Sequence, residues 1–222
     1  MIKICEGVFL IPEDNRTAVP DCNVYVIGDI DEFFLVDSGN GVFSEDKLEE
    51  LEKAGFKLDN CKYIVLTHLH FDHTGGIKDF KKKVVLHENG VKNLENPRSI
   101  FGSDRLMEMS KQAGLSFEKF EILKTVKDGD EVEGWRVIHT PGHSSECICL
   151  YHKTLKILVS GDTIFANSIG RTDLFSSSNE DMKISLKKIQ ELDVEFILPG
   201  HGNHEENSER IKEIVKYFLP IL

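Results

Sequence analysis

The hydrophobic patterning of this chain predicts an α/β (α+β) fold of two mixed sheets packed face to face, with helices outside. Three observations predict it. Strand-length apolar runs come first and helical segments follow, and this order occurs twice. No Pro/Gly/Ser-rich linker separates the two rounds, so one domain over 1–222 is expected, with pseudo-repeated halves of about 1–130 and 131–222. In four places a strand-like run gives way to glycine beside histidine or aspartate, as at strand ends that share a site.

The elements follow in order. Strands are expected over Ile2 to Ile11, Asn23 to Gly28 and Phe33 to Val36. Ser44 to Ala54 has helical character, with Ser44 as N-cap and Gly55 as stop. The run Tyr63 to Leu66 is a buried strand, and Val84 to Leu86 a short one. Glu88 to Gly114 is helical with a break at Pro97, and is expected to form either a cap over the site or a dimer contact. Strands return at Phe120 to Leu123, Trp135 to His139, Glu146 to His152 and Lys156 to Val159. A helix over Glu180 to Leu192, approached by Ser176 to Ser178, precedes strand Glu195 to Leu198. An amphipathic helix from about Glu205 to Phe218 comes last.

Composition narrows the function. With 222 residues, the chain can bury a substantial core. A net charge of −11 argues against nucleic acid as the main partner, because phosphate binding needs a basic surface. No apolar run is long enough to span a bilayer, and Met1 to Gly7 holds no signal-peptide block. The expectation is a cytoplasmic enzyme with a small-molecule substrate, without a membrane partner and with no oligomeric state specified. The cysteine count of 5 is odd and gives no C-x-x-C pair, so no disulfide framework is expected. Cys147 and Cys149 are read as buried structural thiols.

The chemistry concentrates in Thr67-His68-Leu69-His70-Phe71-Asp72-His73-Thr74-Gly75-Gly76. Three imidazoles and a carboxylate this close would suffer mutual repulsion if protonated. A divalent cation prefers neutral imidazole and ionised carboxylate, and so explains the grouping. Three later segments repeat the pattern of strand, glycine and ligand type: Val137 to His143, Ile157 to Asp162, and Phe196 to His201. The candidate ligands are therefore His68, His70, Asp72, His73, His143, Asp162 and His201. Seven exceed the four or so that one tetrahedral ion takes. They suit two ions about 3.5–4 Å apart, joined by a carboxylate and a water-derived hydroxide. With no cysteine among them, zinc is the first expectation and iron or manganese the alternatives.

These motifs resemble the metallo-β-lactamase superfamily. Its H-x-H-x-D-H motif stands at His68, His70, Asp72 and His73, and its later single ligands match His143, Asp162 and His201. The resemblance runs from Asn23-Val24-Tyr25 and Val36-Asp37-Ser38-Gly39 through Leu198-Pro199-Gly200-His201. It implies a four-layer αββα sandwich. It also implies one metal on His68, His70 and His143, a second on Asp72, His73 and His201, and Asp162 bridging both. Thr140 to Ser144, Gly161 to Phe165 and Ser168 to Asp173 are similar to the glyoxalase II-like (hydroxyacylglutathione hydrolase-like) branch. The G-R-T-D element at Gly170 to Asp173 is shared with persulfide dioxygenases. The glyoxalase II pattern includes a further C-terminal helical region that grips glutathione. The sequence stops at Leu222, soon after the last ligand, and leaves glutathione recognition open.

The expected activity is a binuclear metallohydrolase, in which hydroxide held between two metals cleaves a thioester, ester or lactone and Asp72 helps to orient the nucleophile. The alternative is a mononuclear iron persulfide dioxygenase. A β-lactamase and an RNA-processing nuclease are weaker readings. Arg171 is expected either to grip a substrate carboxylate or to pair with Asp173 and brace the loop after Asp162. Asp37 is read as a structural loop carboxylate, His139 and His87 as structural histidines, His152 and His204 as exposed, and Trp135 as core.

Overall fold

The computed structural model describes residues 1–207 and 209–222. Seven strands form the first sheet: β1 (Ile2–Cys5), β2 (Val8–Ile11), β3 (Val24–Gly28), β4 (Phe33–Val36), β5 (Cys61–Val65), β6 (Val84–His87) and β7 (Ile122–Val126), paired in that order. The first four pair antiparallel and the last three join in parallel. The second sheet has five strands: β8 (Glu131–Val132), β9 (Trp135–His139), β10 (Ile148–His152), β11 (Ile157–Gly161) and β12 (Phe196–Pro199). It is antiparallel except for the β11–β12 pair.

Eight α-helices and one 3-10 turn (Leu58–Asn60) complete the described elements, the α-helices being α1 (Ser44–Lys53), α2 (Phe71–Thr74), α3 (Ile77–Phe80), α4 (Glu88–Asn93), α5 (Pro97–Phe101), α6 (Asp104–Gln112), α7 (Asn179–Gln190) and α8 (Arg210–Phe218). None is long and apolar enough to cross a membrane.

The two-residue period of the strands sorts their side chains into layers. Tyr25 and Ile27 point into a core that meets Val137, Leu150, Val159 and Leu198 of the second sheet. Val24 and Val26 point the other way, onto Leu51, Ile77, Phe80 and Ile100 of the helices. Ile138, Leu158 and Ile197 back onto Met182, Leu186, Ile211 and Val215 of α7 and α8. The result is the expected sandwich of helix, sheet, sheet and helix. Trp135 lies in the central core.

Several expectations need correction. Ile2 to Ile11 is a hairpin of two strands, because Gly7 takes a φ of 74° and reverses the chain. Ser44 is not the N-cap of α1: Phe43 holds that position, and the Ser44 hydroxyl is buried inside the first turn without a partner. Gly55 does end the helix, with a φ of 87° and its N–H on Glu52 O at 2.9 Å. The break expected at Pro97 is present, with α4 ending at Asn93 and Pro97 opening α5 under an Asn96 cap, and a second break at Gly102 was not expected. The strand expected over Phe120 to Leu123 is shifted to Ile122–Val126, and the last helix starts at Arg210 instead of Glu205. The short β8, α2 and α3 have no counterpart in the sequence reading.

Candidate metal centre

All seven sequence-predicted ligands converge on one cleft where the two sheets meet. β5 ends at Val65, and the chain then turns through His68 and His70 into α2, which carries Asp72 and His73. The second sheet delivers His143 after β9, Asp162 after β11 and His201 after β12. Glycine makes room for this convergence. A Cβ on Gly200 would strike the Asp162 carboxylate and approach His73 Cε1 to 2.7 Å, and one on Gly161 would stand 2.6 Å from Thr67 Cβ. The strand–glycine–ligand pattern therefore has a steric cause.

The ring nitrogens fall into two groups. His68 Nε2, His70 Nδ1 and His143 Nε2 meet at 3.0 and 2.8 Å. His201 Nε2 lies 3.3 Å from His73 Nε2 and 3.3 Å from Asp72 Oδ2. Asp162 stands between the groups: Oδ2 is 3.4 Å from both His143 Nε2 and His201 Nε2, and Oδ1 is 3.4 Å from His73 Nε2. Asp162 Oδ1 and His70 Nε2 are buried without a hydrogen-bond partner among the described residues.

The outward-facing nitrogens assign the tautomers. His143 Nδ1 donates to Arg171 O at 2.9 Å, His73 Nδ1 to Asp37 Oδ2 at 2.8 Å, and His201 Nδ1 to Glu13 Oε2 at 2.9 Å. Thr67 Oγ1 gives its proton to Asp37 Oδ2 at 2.8 Å, so it accepts from His68 Nδ1 at 3.1 Å. With those protons outside, the inward nitrogens of His68 and His143 present lone pairs. Burial opposes charge on His73 and His201, but Cys22 and Asp37 beside His73, and Asp162 beside both, raise these two imidazoles well above their ordinary value, so without a cation their inward nitrogens hold a proton toward the carboxylates. Burial pushes the His68 imidazole well below its ordinary value and His70 down to about 3, and the neighbouring imidazoles push the same way. Burial would raise the Asp72 carboxyl, but the His201 hydrogen bond and the charges of His73 and His201 hold it at about 2.

A divalent cation among these donors would take the place of the inward protons and face the lone pairs and carboxylate oxygens together. The donors are nitrogen and oxygen alone, which fits zinc, iron or manganese. His68, His70 and His143 fit one ion, Asp72, His73 and His201 a second, and Asp162 reaches toward both sets.

The cleft has a volume of about 420 Å³. Phe101 and Leu106 line it, so the 88–114 segment forms one wall. Arg171 is at its edge, in a two-pronged pair with Asp173 at 2.9 Å for each bond. This is the bracing arrangement considered from sequence.

Three supporting carboxylates escaped the sequence reading in whole or part. Asp37 does more than brace a loop: it accepts from Thr67 N and Thr67 Oγ1, each at 2.8 Å, as well as from His73. Its φ of 61° is the local oddity that marks it. Glu13 holds His201 from an extended segment with no motif. Glu146, 2% exposed, accepts from Leu69 N at 3.3 Å, Ser144 Oγ at 2.9 Å and Asn93 Nδ2 at 2.6 Å. It thereby joins both ligand loops to α4.

The remaining histidines stand apart from the cleft. His87 and His139 stack on each other at 3.9 Å, and His139 Nε2 donates to Ser145 O at 2.9 Å. His152 and His204 are half-buried and not exposed as expected: His152 packs edge-on against Trp135, and His204 faces Glu206. All five cysteines are free, with Cys147 and Cys149 buried.

A profile of the Metallo-beta-lactamase superfamily matches residues 18–201. The chain belongs to the metallo-β-lactamase superfamily. Among curated members, the human Acyl-coenzyme A thioesterase MBLAC2 is 27% identical, covering 89% of this chain and 79% of that protein. The Probable metallo-hydrolase YqjP of Bacillus subtilis (strain 168) is also 27% identical, over 89% of this chain and 72% of its own. Among solved members, TTHA1623 in a di-iron-bound form superposes with a TM-score of 0.71 at 25% identity, covering 89% of this chain and 94% of that one. The superfamily match implies divalent-metal binding, and the histidine and aspartate cluster of the cleft could hold such an ion.

Proposed function

We propose that this protein is a binuclear metal-dependent hydrolase that cleaves thioesters to a carboxylic acid and a thiol. One observation carries the reading: two groups of inward-facing donors share the Asp162 carboxylate, which lies 3.4 Å from members of both. The human relative described as an acyl-coenzyme A thioesterase supports the thioester as the bond attacked. The di-iron-bound relative supports a pair of ions.

Divalent cations held there would lower the pKa of bound water toward ~7, so that hydroxide is available at neutral pH, and would polarise a carbonyl. The chain's own residues do the rest. His68, His70 and His143 would hold one ion, and Asp72, His73 and His201 the other, with Asp162 serving both. Asp72 is partly exposed to the cleft and would also orient the attacking water by accepting its hydrogen bond. Asp37 and Glu13 keep the protons of His73 and His201 on their outer nitrogens, so the inner ones stay available. The apolar wall of the cleft excludes water from the far side of the substrate.

The test is elemental analysis of protein purified without chelator, with hydrolysis of S-lactoylglutathione and of fatty-acyl thioesters followed on the same sample. About two ions per chain with thioester cleavage is the expected result. A single iron, with oxygen consumption on a glutathione persulfide and no thioesterase activity, would replace this reading with the dioxygenase.

A further inference from the structure

Phe101, the last residue of α5, lines two cavities and is the one residue common to both. The first is the metal cleft, where it lies with His70, Leu106 and Leu174. The second is an apolar groove of about 440 Å³, walled by Leu94, Ile100, Met107, Leu115 and Phe117. Both volumes fall in the range of small-molecule pockets, roughly 300–1,000 Å³.

The ring is fixed in place. It stacks on Phe71 at 5.1 Å with an interplanar angle of 26°, and Phe71 sits between the candidate ligands His70 and Asp72. Gly102 follows with a φ of 65°, and its carbonyl accepts from Phe175 N at 2.8 Å, tying the end of α5 to the chain beyond Asp173. A Cβ on Gly102 would stand 3.1 Å from His70 Nε2, so the backbone runs close to the donors. The partition between cleft and groove is thus an aromatic side chain anchored beside the reacting centre.

A thioester has two arms. Thiol carriers are polar, whereas Phe71, Phe101, Leu106 and Leu174 give the cleft a mainly apolar lining beside α5 and α6, with Ser110 next to them. Ser168 and Arg171 also line the cleft, beside Phe165 and Ile169, and offer polar groups to a thiol carrier. Resting on the thioesterase reading, we infer that the acyl arm is a linear hydrocarbon chain running from the metal donors toward α5. Phe101 sets the longest chain that the cleft accepts, and the groove behind it is the space a longer chain would enter.

The experiment uses the metal-loaded full chain and the acetyl, butyryl, octanoyl and lauroyl thioesters of N-acetylcysteamine. In the wild type, kcat/KM rises with acyl length by up to about fourfold per buried methylene and then stops rising. Phe101→Ala moves that limit outward, raising the lauroyl value relative to the acetyl value by about tenfold or more. Phe101→Trp moves it inward, and decides the matter alone if the alanine variant does not fold. The same length profile in all the proteins overturns the inference. Laurate binding to metal-free protein, followed by calorimetry, gives a readout that needs no turnover: Phe101→Ala must bind it more tightly, and equal affinity is a refutation. If no thioester is cleaved by any of the proteins, the hydrolase reading fails, and laurate binding still decides the role of Phe101.

Discussion

Asp37 Oδ2 accepts the Nδ1 proton of His73 across 2.8 Å, and both side chains are buried. The contact sets the tautomer of a candidate ligand, and its second acceptor oxygen holds the backbone N–H of Thr67, one residue before His68. Asp37→Ala is expected to weaken metal affinity by about 10–100-fold, the usual cost of losing such a partner. Competition against a chromophoric chelator measures it. An unchanged affinity would mean that His73 needs no such partner.

Asp162→Ala removes a carboxylate that stands 3.4 Å from members of both donor groups. Turnover should fall by at least about 100-fold, because loss of an outer partner alone costs up to that much. Far-UV circular dichroism should be unchanged. Full turnover with metal still bound would sink the two-metal scheme.

Gly200→Ala tests the steric reading of the glycines. The added methyl would press on Asp162 and His73, so the metal-to-protein ratio should drop while the fold persists. The expected stability cost of overpacking is about 1–3 kcal/mol, measured by urea unfolding. Wild-type metal content in this variant would show that the cradle can yield.

Lys47 and Asp21 form a buried ion pair at 2.8 Å. Asp21 also accepts from Asp14 N and Asn40 N, each at 2.9 Å, and so holds the segment that carries Glu13 to His201. Lys47→Met leaves that carboxylate buried without its cation and should cost about 3–5 kcal/mol of unfolding free energy. A loss near zero would mean that backbone donors alone satisfy Asp21.

His87 supplies a pH prediction. Burial, then the repulsion of stacked His139, brings its pKa down to about 4 from a model-peptide value of 6.5. Between these values the unfolded chain binds the proton and the folded chain does not, so stability rises with pH. The His87 contribution is therefore intact above about pH 6.5 and is lost as pH falls toward 4. His87→Asn keeps an acceptor at the N-terminus of α4 and should shift the acid-unfolding midpoint to lower pH. An unmoved midpoint would place the acid sensitivity elsewhere.

What could be read from sequence followed the strength of local pattern. Val24 to Gly28 and Trp135 to His139 alternate or run apolar long enough to be seen, and the ligands stand next to glycines that their strand ends require. Elements set by tertiary contact were not visible. β8 is a two-residue ladder that exists only beside β9, and α2 is a single turn formed where the ligand loop folds over the cleft. Ser44 shows the limit of capping rules, since a residue of cap type was drawn into the helix once Phe43 took the terminal position. Glu13 and Glu146 were illegible for a different reason. A carboxylate that steadies a ligand from a distant loop has no fixed spacing from it.

The donors come from both sheets, and that distribution orders events in the life of the chain. The turn after β5 supplies the first four, whereas His201 follows the last strand of the other sheet. A nascent chain exposes only part of the set until its final strand has been made and docked. On the proposed reading, the complete donor set exists only after the two layers have docked. Small zinc domains work in the opposite order, because their fold waits for the ion. An ion held by donors from both sheets would instead act as a removable rivet across a seam that none of the free cysteines bridges.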